Sequence, residues 1–435
     1  MPRMVFAAVA AILAAGQARA DLMTYLARND PSYSWQKAAE GQIDNVAYAD
    51  LRMVSQTWRG IAWKHRLVIV RPTNVEKSAL AVMVIAGGSW REGQELPRLD
   101  EKSREFQIAR GVAVACRMPV AFLLHVPFQP MFDGKVEDQI ISYTFDQYLK
   151  SGEEDWPLLF PMVKSAVRAM DTVQAYAEKE WQLKITDFVV CGGSKRGWTT
   201  WLTGAADPRV KSISPIVIDM LNLPVQMKHQ VDTWGTYSEQ IEDYTRIDLP
   251  NRMDTPEGRK LMEMVDPYSY RGKLTLPKLL IMGTNDRYWP LDALNVYWDD
   301  LEGEKYVLYV PNAGHGVNDF LRLTTDISAL ALKAAGKMKF PRQTWEFTPT
   351  DGGMKLTVKS DPKPQRVDVW TAAAPTRDFR EARWKPQTIE PTEGVYAYTL
   401  PRPAKGYAAF FAEGYYEIQG RSLFLSTTLR ILGAP

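Results

Sequence analysis

Between Arg52 and Gly316 short apolar runs alternate with longer amphipathic stretches, and this alternation leaves the chain few folds to choose from. Residues 67–70, 79–86 and 112–116 are apolar, rich in Val, Ile and Ala, and bounded by turn signals, so each is predicted to be a strand. Residues 157–179 are predicted to be a helix, because Leu159, Met162, Val163, Ala166, Met170 and Val173 recur at helical spacing. A strand over 187–191, a helix over 195–205 and a strand over 210–218 follow. Strands over 278–282 and 306–310 and an apolar helix through 323–335 complete the series. Strands alternating with helices make a mostly parallel sheet covered on both faces. The predicted class is therefore α/β, with a doubly wound sheet.

Two segments interrupt the pattern, 119–156 and 221–270. Both are far longer than ordinary connections, and insertions of that length often roof a site, so a cap or lid is expected. After about Lys339 helical periodicity disappears. Short strands over 345–347, 354–358, 366–371, 394–400, 408–416 and 423–430 are separated by turns such as Asp351-Gly352-Gly353. They predict a small all-β sandwich of immunoglobulin-like type over 339–435, with packing or binding as its default role.

The first twenty residues stand apart from this fold. Arg3 precedes an apolar stretch over 4–15, and Ala18-Arg19-Ala20 has the small residues of a cleavage site. A signal peptide over 1–20 is expected, leaving the α/β domain over 21–338 and a product that is periplasmic or secreted. A buried N-terminal helix would not account for the Ala-x-Ala ending. No cysteine sits at the cleavage site to carry lipid, and no other run nears the ~20 apolar residues of a membrane span, so no membrane anchor is expected. With 53 basic and 51 acidic side chains, nothing in the charge favours nucleic acid as a partner. Cys116 and Cys191 both fall in apolar runs read as strands. If those strands flank the one carrying residues 82–85, they lie two strand spacings apart, about 9–10 Å. That exceeds disulfide reach, so buried, unlinked thiols are expected.

The chemistry concentrates at Asp187–Thr199, where an apolar strand runs into Gly192-Gly193-Ser194 and straight on into a helix. This is the context of a nucleophile elbow, with the serine on a strained turn and glycines where backbones approach closely. The match to G-x-S-x-G is imperfect, because Arg196 takes the place of the second glycine and Gly197 follows one step later. A serine after two glycines also suits a helix N-cap. The spacing Gly192 to Gly197, with Thr199 beyond, resembles a phosphate-binding loop as well, but Trp198 stands where the phosphate-binding lysine belongs.

The later sequence favours the nucleophile. Residues 279–283 lead into Thr284-Asn285-Asp286, and residues 307–310 lead into Pro311-Asn312-Ala313-Gly314-His315-Gly316. The order Ser194, Asp286, His315, each just past a strand, is the α/β-hydrolase order. A serine hydroxyl attacks only when a base removes its proton. His315 suits that role, with Asp286 to hold its tautomer; Asp292 and Asp319 are nearby competitors. Ser194 Oγ is expected within roughly 3 Å of a His315 ring nitrogen. Oxyanion donors are expected from the Lys195 backbone N–H and from the loop Gly87-Gly88-Ser89-Trp90, with Ser89 as the second oxyanion residue. No His, Asp or Cys cluster has metal-ligand spacing, so neither metal nor cofactor is expected.

At these motifs the chain resembles the PhoPQ-activated pathogenicity-related family. The resemblance runs from about residue 21 to 335 and rests on Ala86-Gly87-Gly88-Ser89, Glu137-Asp138, Trp156-Pro157-Leu158, residues 162–171, Gly192–Gly197 and residues 312–316. It implies an α/β-hydrolase-like fold akin to dipeptidyl-peptidase catalytic domains, and no particular substrate. The stretch from Gly192 to Gly197 is also similar to the elbow of glucuronoyl esterases, which implies an oxyanion role for the Lys195 side chain. The function expected is a serine hydrolase acting on a small-molecule ester or peptide through an acyl-enzyme. The alternative is a non-catalytic secreted signalling or virulence-associated protein on the same scaffold. Trp198, Tyr288 and Trp289 are candidates for substrate contact, with packing beneath the lid as the other role open to them. Glu137, Asp138 and Arg117 are candidate recognition charges, with ion pairing as the alternative.

Overall fold

The computed structural model describes residues 21–75, 79–91, 93–96 and 99–434; the predicted leader over 1–20 lies outside them. A short helix α1 (Leu22–Ala27) precedes three antiparallel strands, β1 (Ser34–Ile43), β2 (Val46–Trp58) and β3 (Ile61–Pro72). Then come β4 (Leu80–Ile85), α2 (Arg104–Cys116), β5 (Val120–Leu123), α3 (Asp138–Ser151) and α4 (Leu159–Trp181). They are followed by β6 (Asp187–Gly193), α5 (Lys195–Ala206) and β7 (Val210–Ile216). The second insertion holds α6 (Leu223–Trp234), α7 (Glu242–Thr245), α8 (Leu249–Arg252) and α9 (Pro256–Val265). Next are β8 (Lys278–Gly283), β9 (Lys305–Val310) and α10 (Phe320–Ala334).

The strands lie in the order β1-β2-β3-β5-β4-β6-β7-β8-β9. From β5 to β9 they run parallel, and β3 pairs antiparallel with β5. Side chains alternate across the sheet, as the period of two requires. Ala81, Met83 and Val190 face a core shared with α4 and α5 through Met162, Val163, Met170, Trp201 and Leu202. Val82, Val189 and Cys191 face the opposite core, shared with α2 and α10 through Phe106, Val112, Ile327 and Leu330. A parallel sheet buried on both faces puts the C-terminal ends of its strands, and the loops after them, at one edge of the molecule.

One predicted strand is corrected. Residues 112–116 are the last turns of α2, not a strand, and the strand beside β4 is β5. Ser103 caps the helix by accepting from the Phe106 N–H, and Phe106, Ala109, Val112, Ala113 and Cys116 are its buried positions. That is a helical period; only its valine- and alanine-rich end looks like a strand. The expected pairing of the elbow strand holds, since β6 lies beside β4. Cys116 is therefore on a helix and Cys191 on β6. Both are buried with no disulfide between them, and burial pushes the Cys191 thiol up to about 12.

The C-terminal region contains β10 (Arg342–Thr350), β11 (Gly353–Asp361), β12 (Arg366–Ala374), β13 (Lys385–Ile389), β14 (Tyr396–Pro401), β15 (Tyr407–Ile418), β16 (Arg421–Ser426) and β17 (Arg430–Gly433). Strands β10, β11 and β14 form one sheet, and β12, β13, β15, β16 and β17 belong to another. Leu356 and Val358 of the first pack with Val367, Val369 and Phe410 of the second. The second sheet continues the main one, through a bridge between Ser426 and Val307 and a Tyr309 N–H donated to Ser426 Oγ at 3.0 Å.

Candidate active site

Ser194 closes β6 and opens α5 at φ 57° and ψ −129°. A helix N-cap normally holds extended φ/ψ and uses its side chain to cap; Ser194 does neither. Its conformation is one an L-residue holds only when its surroundings force it, and such strain concentrates at functional sites. The force comes from close packing. A Cβ on Gly192 would lie 2.7 Å from the Arg196 carbonyl oxygen, and one on Gly197 would lie 2.6 Å from Ile218 Cγ2. The close approach therefore falls at 197, which explains why the second glycine stands one position later than in G-x-S-x-G. Position 196 is free to carry a long side chain.

Asp286 and His315 follow β8 and β9. His315 Nδ1 lies 2.8 Å from Asp286 Oδ2 and 3.1 Å from Oδ1. A carboxylate only accepts, so Nδ1 carries the proton and Nε2 is left as the basic nitrogen. Nε2 is buried and has no hydrogen-bond partner, so the expected bond to Ser194 Oγ is not formed. Catalytic hydrogen bonds commonly tighten only with substrate bound. Ser194 and His315 nonetheless line one cavity. The competing acids are engaged elsewhere: Asp292 with His229 and Arg377, Asp319 as the cap of α10 and the partner of Arg322.

The two loops bearing Asp286 and His315 are locked to each other and to the C-terminal region. Asn285 N–H donates to the Ala313 carbonyl, and Asn312 N–H to Thr284 Oγ1. The Asn285 side-chain amide reaches the carbonyls of Phe379, Arg380 and Ala382, the last at 2.7 Å. Asn312 exchanges two bonds with the Trp384 backbone, at 3.0 and 2.8 Å, from a left-handed φ of 57° that asparagine tolerates well. The segment between β12 and β13 thus clamps both loops. Replacing Asn312 by alanine removes both bonds and the residue suited to that backbone, at a cost of about 2 kcal/mol. The expected result is about a tenfold lower kcat with KM little changed, checked by steady-state kinetics beside a thermal melt.

A half-buried ionic cluster lies against the elbow. Arg196 makes two bonds to Glu137, at 2.7 and 2.6 Å, and Lys195 Nζ lies 3.0 Å from Glu137 and 3.1 Å from Asp138. Glu137 also has positive φ, 54°. Burial would raise its carboxyl, but the Arg196 hydrogen bonds and charge, with Lys195, hold it down at about 2. A depressed acid stabilises the fold above its unfolded value, near 4.5, and loses that contribution as pH falls through about 2. Because about a third of the side chain is exposed, the full contribution is discounted to about 2 kcal/mol. In urea titrations the gap between wild type and Glu137→Gln should be widest above pH 5 and shrink steadily toward pH 2.

The predicted residues divide as follows. Ser194, His315, Lys195, Trp198, Tyr288 and Trp289 all line the cavity, and Asp286 backs the histidine. Tyr288 stacks on the His315 ring with centroids 4.2 Å apart, and its hydroxyl faces Asp138 at 3.4 Å. Trp198 donates from Nε1 to the Val265 carbonyl. Ser89 is exposed in the loop after β4 and does not line the cavity. The Lys195 ammonium is engaged by Glu137 and Asp138, which accounts for the latter two as ion-pair partners. Arg117 caps the C-terminal end of α2, outside the cavity. The sequence reading did not find Asn285, Asn312 or Tyr244, whose hydroxyl donates to Asp138 at 2.8 Å.

Strand order and the three post-strand loops define an α/β-hydrolase-fold protein. The chain belongs to the PhoPQ-activated pathogenicity-related protein family, whose model matches residues 22–380 and so extends past residue 338 into the clamping segment. It is 31% identical, over 93% of its length and 88% of the relative's, to autocrine proliferation repressor protein A of Dictyostelium discoideum. An acetyl xylan esterase from Paenibacillus sp. R4 matches with TM-score 0.47 and 14% identity, over 68% of this chain and 86% of that one. A glucuronoyl esterase from Solibacter usitatus matches with TM-score 0.40 and 12% identity, over 71% and 87%. Neither likeness bears on chemistry or substrate. Among the described residues no helix is long and apolar enough to cross a membrane.

Proposed function

We propose that the protein is an exported serine hydrolase that cleaves a small-molecule ester or peptide through an acyl-enzyme. The observation that carries this is Ser194, held at positive φ with its hydroxyl unused as a cap, on a cavity it shares with the unpartnered Nε2 of an Asp286-paired histidine. Ser194 Oγ attacks the carbonyl carbon as His315 takes its proton. The bond to the leaving group breaks, and that group departs with the proton. Water then attacks the acyl-enzyme, giving one proton to His315 and freeing the acid, and the proton returns to Ser194. The Lys195 N–H, first in α5, is the oxyanion donor that the helix dipole supports. The insertion at 221–270 acts as a lid, the immunoglobulin-like sandwich over 339–435 as its support, and the leader over 1–20 sends the product to the periplasm or outside the cell.

A second reading takes its support from the name of the Dictyostelium relative: a proliferation signal that needs no catalysis. A fluorophosphonate probe separates the two. Labelling of the wild type that vanishes in Ser194→Ala supports the hydrolase, whereas an unlabelled, folded wild type supports the signal.

A further inference from the structure

The cavity above Ser194 has a composition that narrows its occupant. Leu223 and Met227 of α6, with Ile241, Tyr244 and Leu249, bring the second insertion over the site, and Trp198, Ile218, Met220 and Trp289 supply the facing wall. All of these are buried side chains, and apart from Tyr244 and the two indole N–H groups they offer nothing polar. The ionisable groups on the lining are Asp138, Lys195, His315 and two tyrosines, and each is engaged within the protein. Lys195 bridges Glu137 and Asp138. Asp138 also accepts from Tyr244 at 2.8 Å and faces Tyr288 at 3.4 Å. His315 is paired with Asp286. Both phenols are held neutral, their ionisation pushed up by burial and by the Asp138 charge.

A charged substrate group entering here would lose its hydration and meet no free countercharge, which is costly. An apolar group would gain from the same walls. We infer that the apolar cavity beside Ser194 is an acyl pocket for uncharged, apolar acids, so that the preferred substrates are their esters. The acyl side is assigned because it alone stays bonded to Ser194 through the acyl-enzyme, while the leaving group must depart past the partly exposed His315 ring. This inference rests on the hydrolase reading above and adds the class of acid.

The test uses p-nitrophenyl acetate, butyrate and hexanoate, with mono-p-nitrophenyl adipate as the hexanoate-length ester carrying a terminal carboxylate. Each methylene that enters the pocket should raise kcat/KM by up to about fourfold, so hexanoate should exceed acetate by at least about tenfold. Adipate should fall at least about a hundredfold below hexanoate, for want of a countercharge. Filling the pocket by Met227→Trp, or by Leu223→Phe if the first variant melts early, should cut the hexanoate-to-acetate ratio about tenfold. Acetate equal to or better than hexanoate, or adipate matching hexanoate, overturns the inference. If the wild type cleaves none of these esters, the hydrolase reading fails, and calorimetry on Ser194→Ala then decides the pocket on its own. Tighter binding of hexanoate than of adipate upholds an apolar acyl pocket, and equal binding overturns it.

Discussion

Replacing Ser194 by alanine should lower kcat/KM for any cleaved ester by at least about 10⁴-fold, because nucleophile, base and acid act as a unit. What remains would come from binding and oxyanion stabilisation alone. Melting temperature should stay near wild type, since the hydroxyl caps nothing. A companion variant sharpens this. Ser194→Gly should be equally inactive but about 1 kcal/mol more stable, because glycine accepts the φ of 57° without strain. Activity that survives either change would place the nucleophile elsewhere. A Ser194→Gly protein no more stable than Ser194→Ala would mean the elbow is not strained.

Asp286→Asn should lower kcat by about 10³–10⁴-fold while KM changes little. The reason lies in the hydrogen bonds around this side chain. Asp286 Oδ1 accepts the Tyr288 backbone N–H at 3.0 Å, and Oδ2 faces His315 Nδ1. Asparagine must keep its oxygen toward the Tyr288 N–H, which turns its NH₂ toward the imidazole. A donor facing Nδ1 selects the tautomer with the proton on Nε2, and that proton occupies the site where the base is needed. Steady-state kinetics on the soluble variant checks this. A loss of less than tenfold would show that His315 does not depend on Asp286 for its tautomer.

The parts of the site that were legible in the sequence sit immediately beyond strand ends. Ser194, Asp286 and His315 each follow an apolar run of strand length, so a one-dimensional pattern locates them and their order relates them. The displaced glycine at 197 looked like a defect in the motif, and only the approach of Ile218 gives it a cause. Where the pattern misled, two periodicities overlapped: residues 112–116 carry strand-like composition on the last turns of a helix that begins at Ser103. The strands β1 and β2 escaped notice because their solvent-facing and sheet-facing residues do not alternate cleanly by polarity. Contacts between distant segments leave no local trace. Nothing near Asn285 or Asn312 announces partners at 379–384, and nothing near Lys195 announces that its charge faces Glu137 and Asp138.

The clamp between β12 and β13 also governs when the site can come into being. A chain is made from its N-terminus, so Ser194, Asp286 and His315 all leave the ribosome before Phe379, Ala382 and Trp384, whose backbone groups hold Asn285 and Asn312 in place. Until those late residues dock, the loops bearing Asp286 and His315 lack their outer support, and a nascent chain with Ser194, Asp286 and His315 already translated has no reason to present them in register. The arrangement of these two loops is thus completed only once residue 384 has emerged, later than every residue of the candidate site.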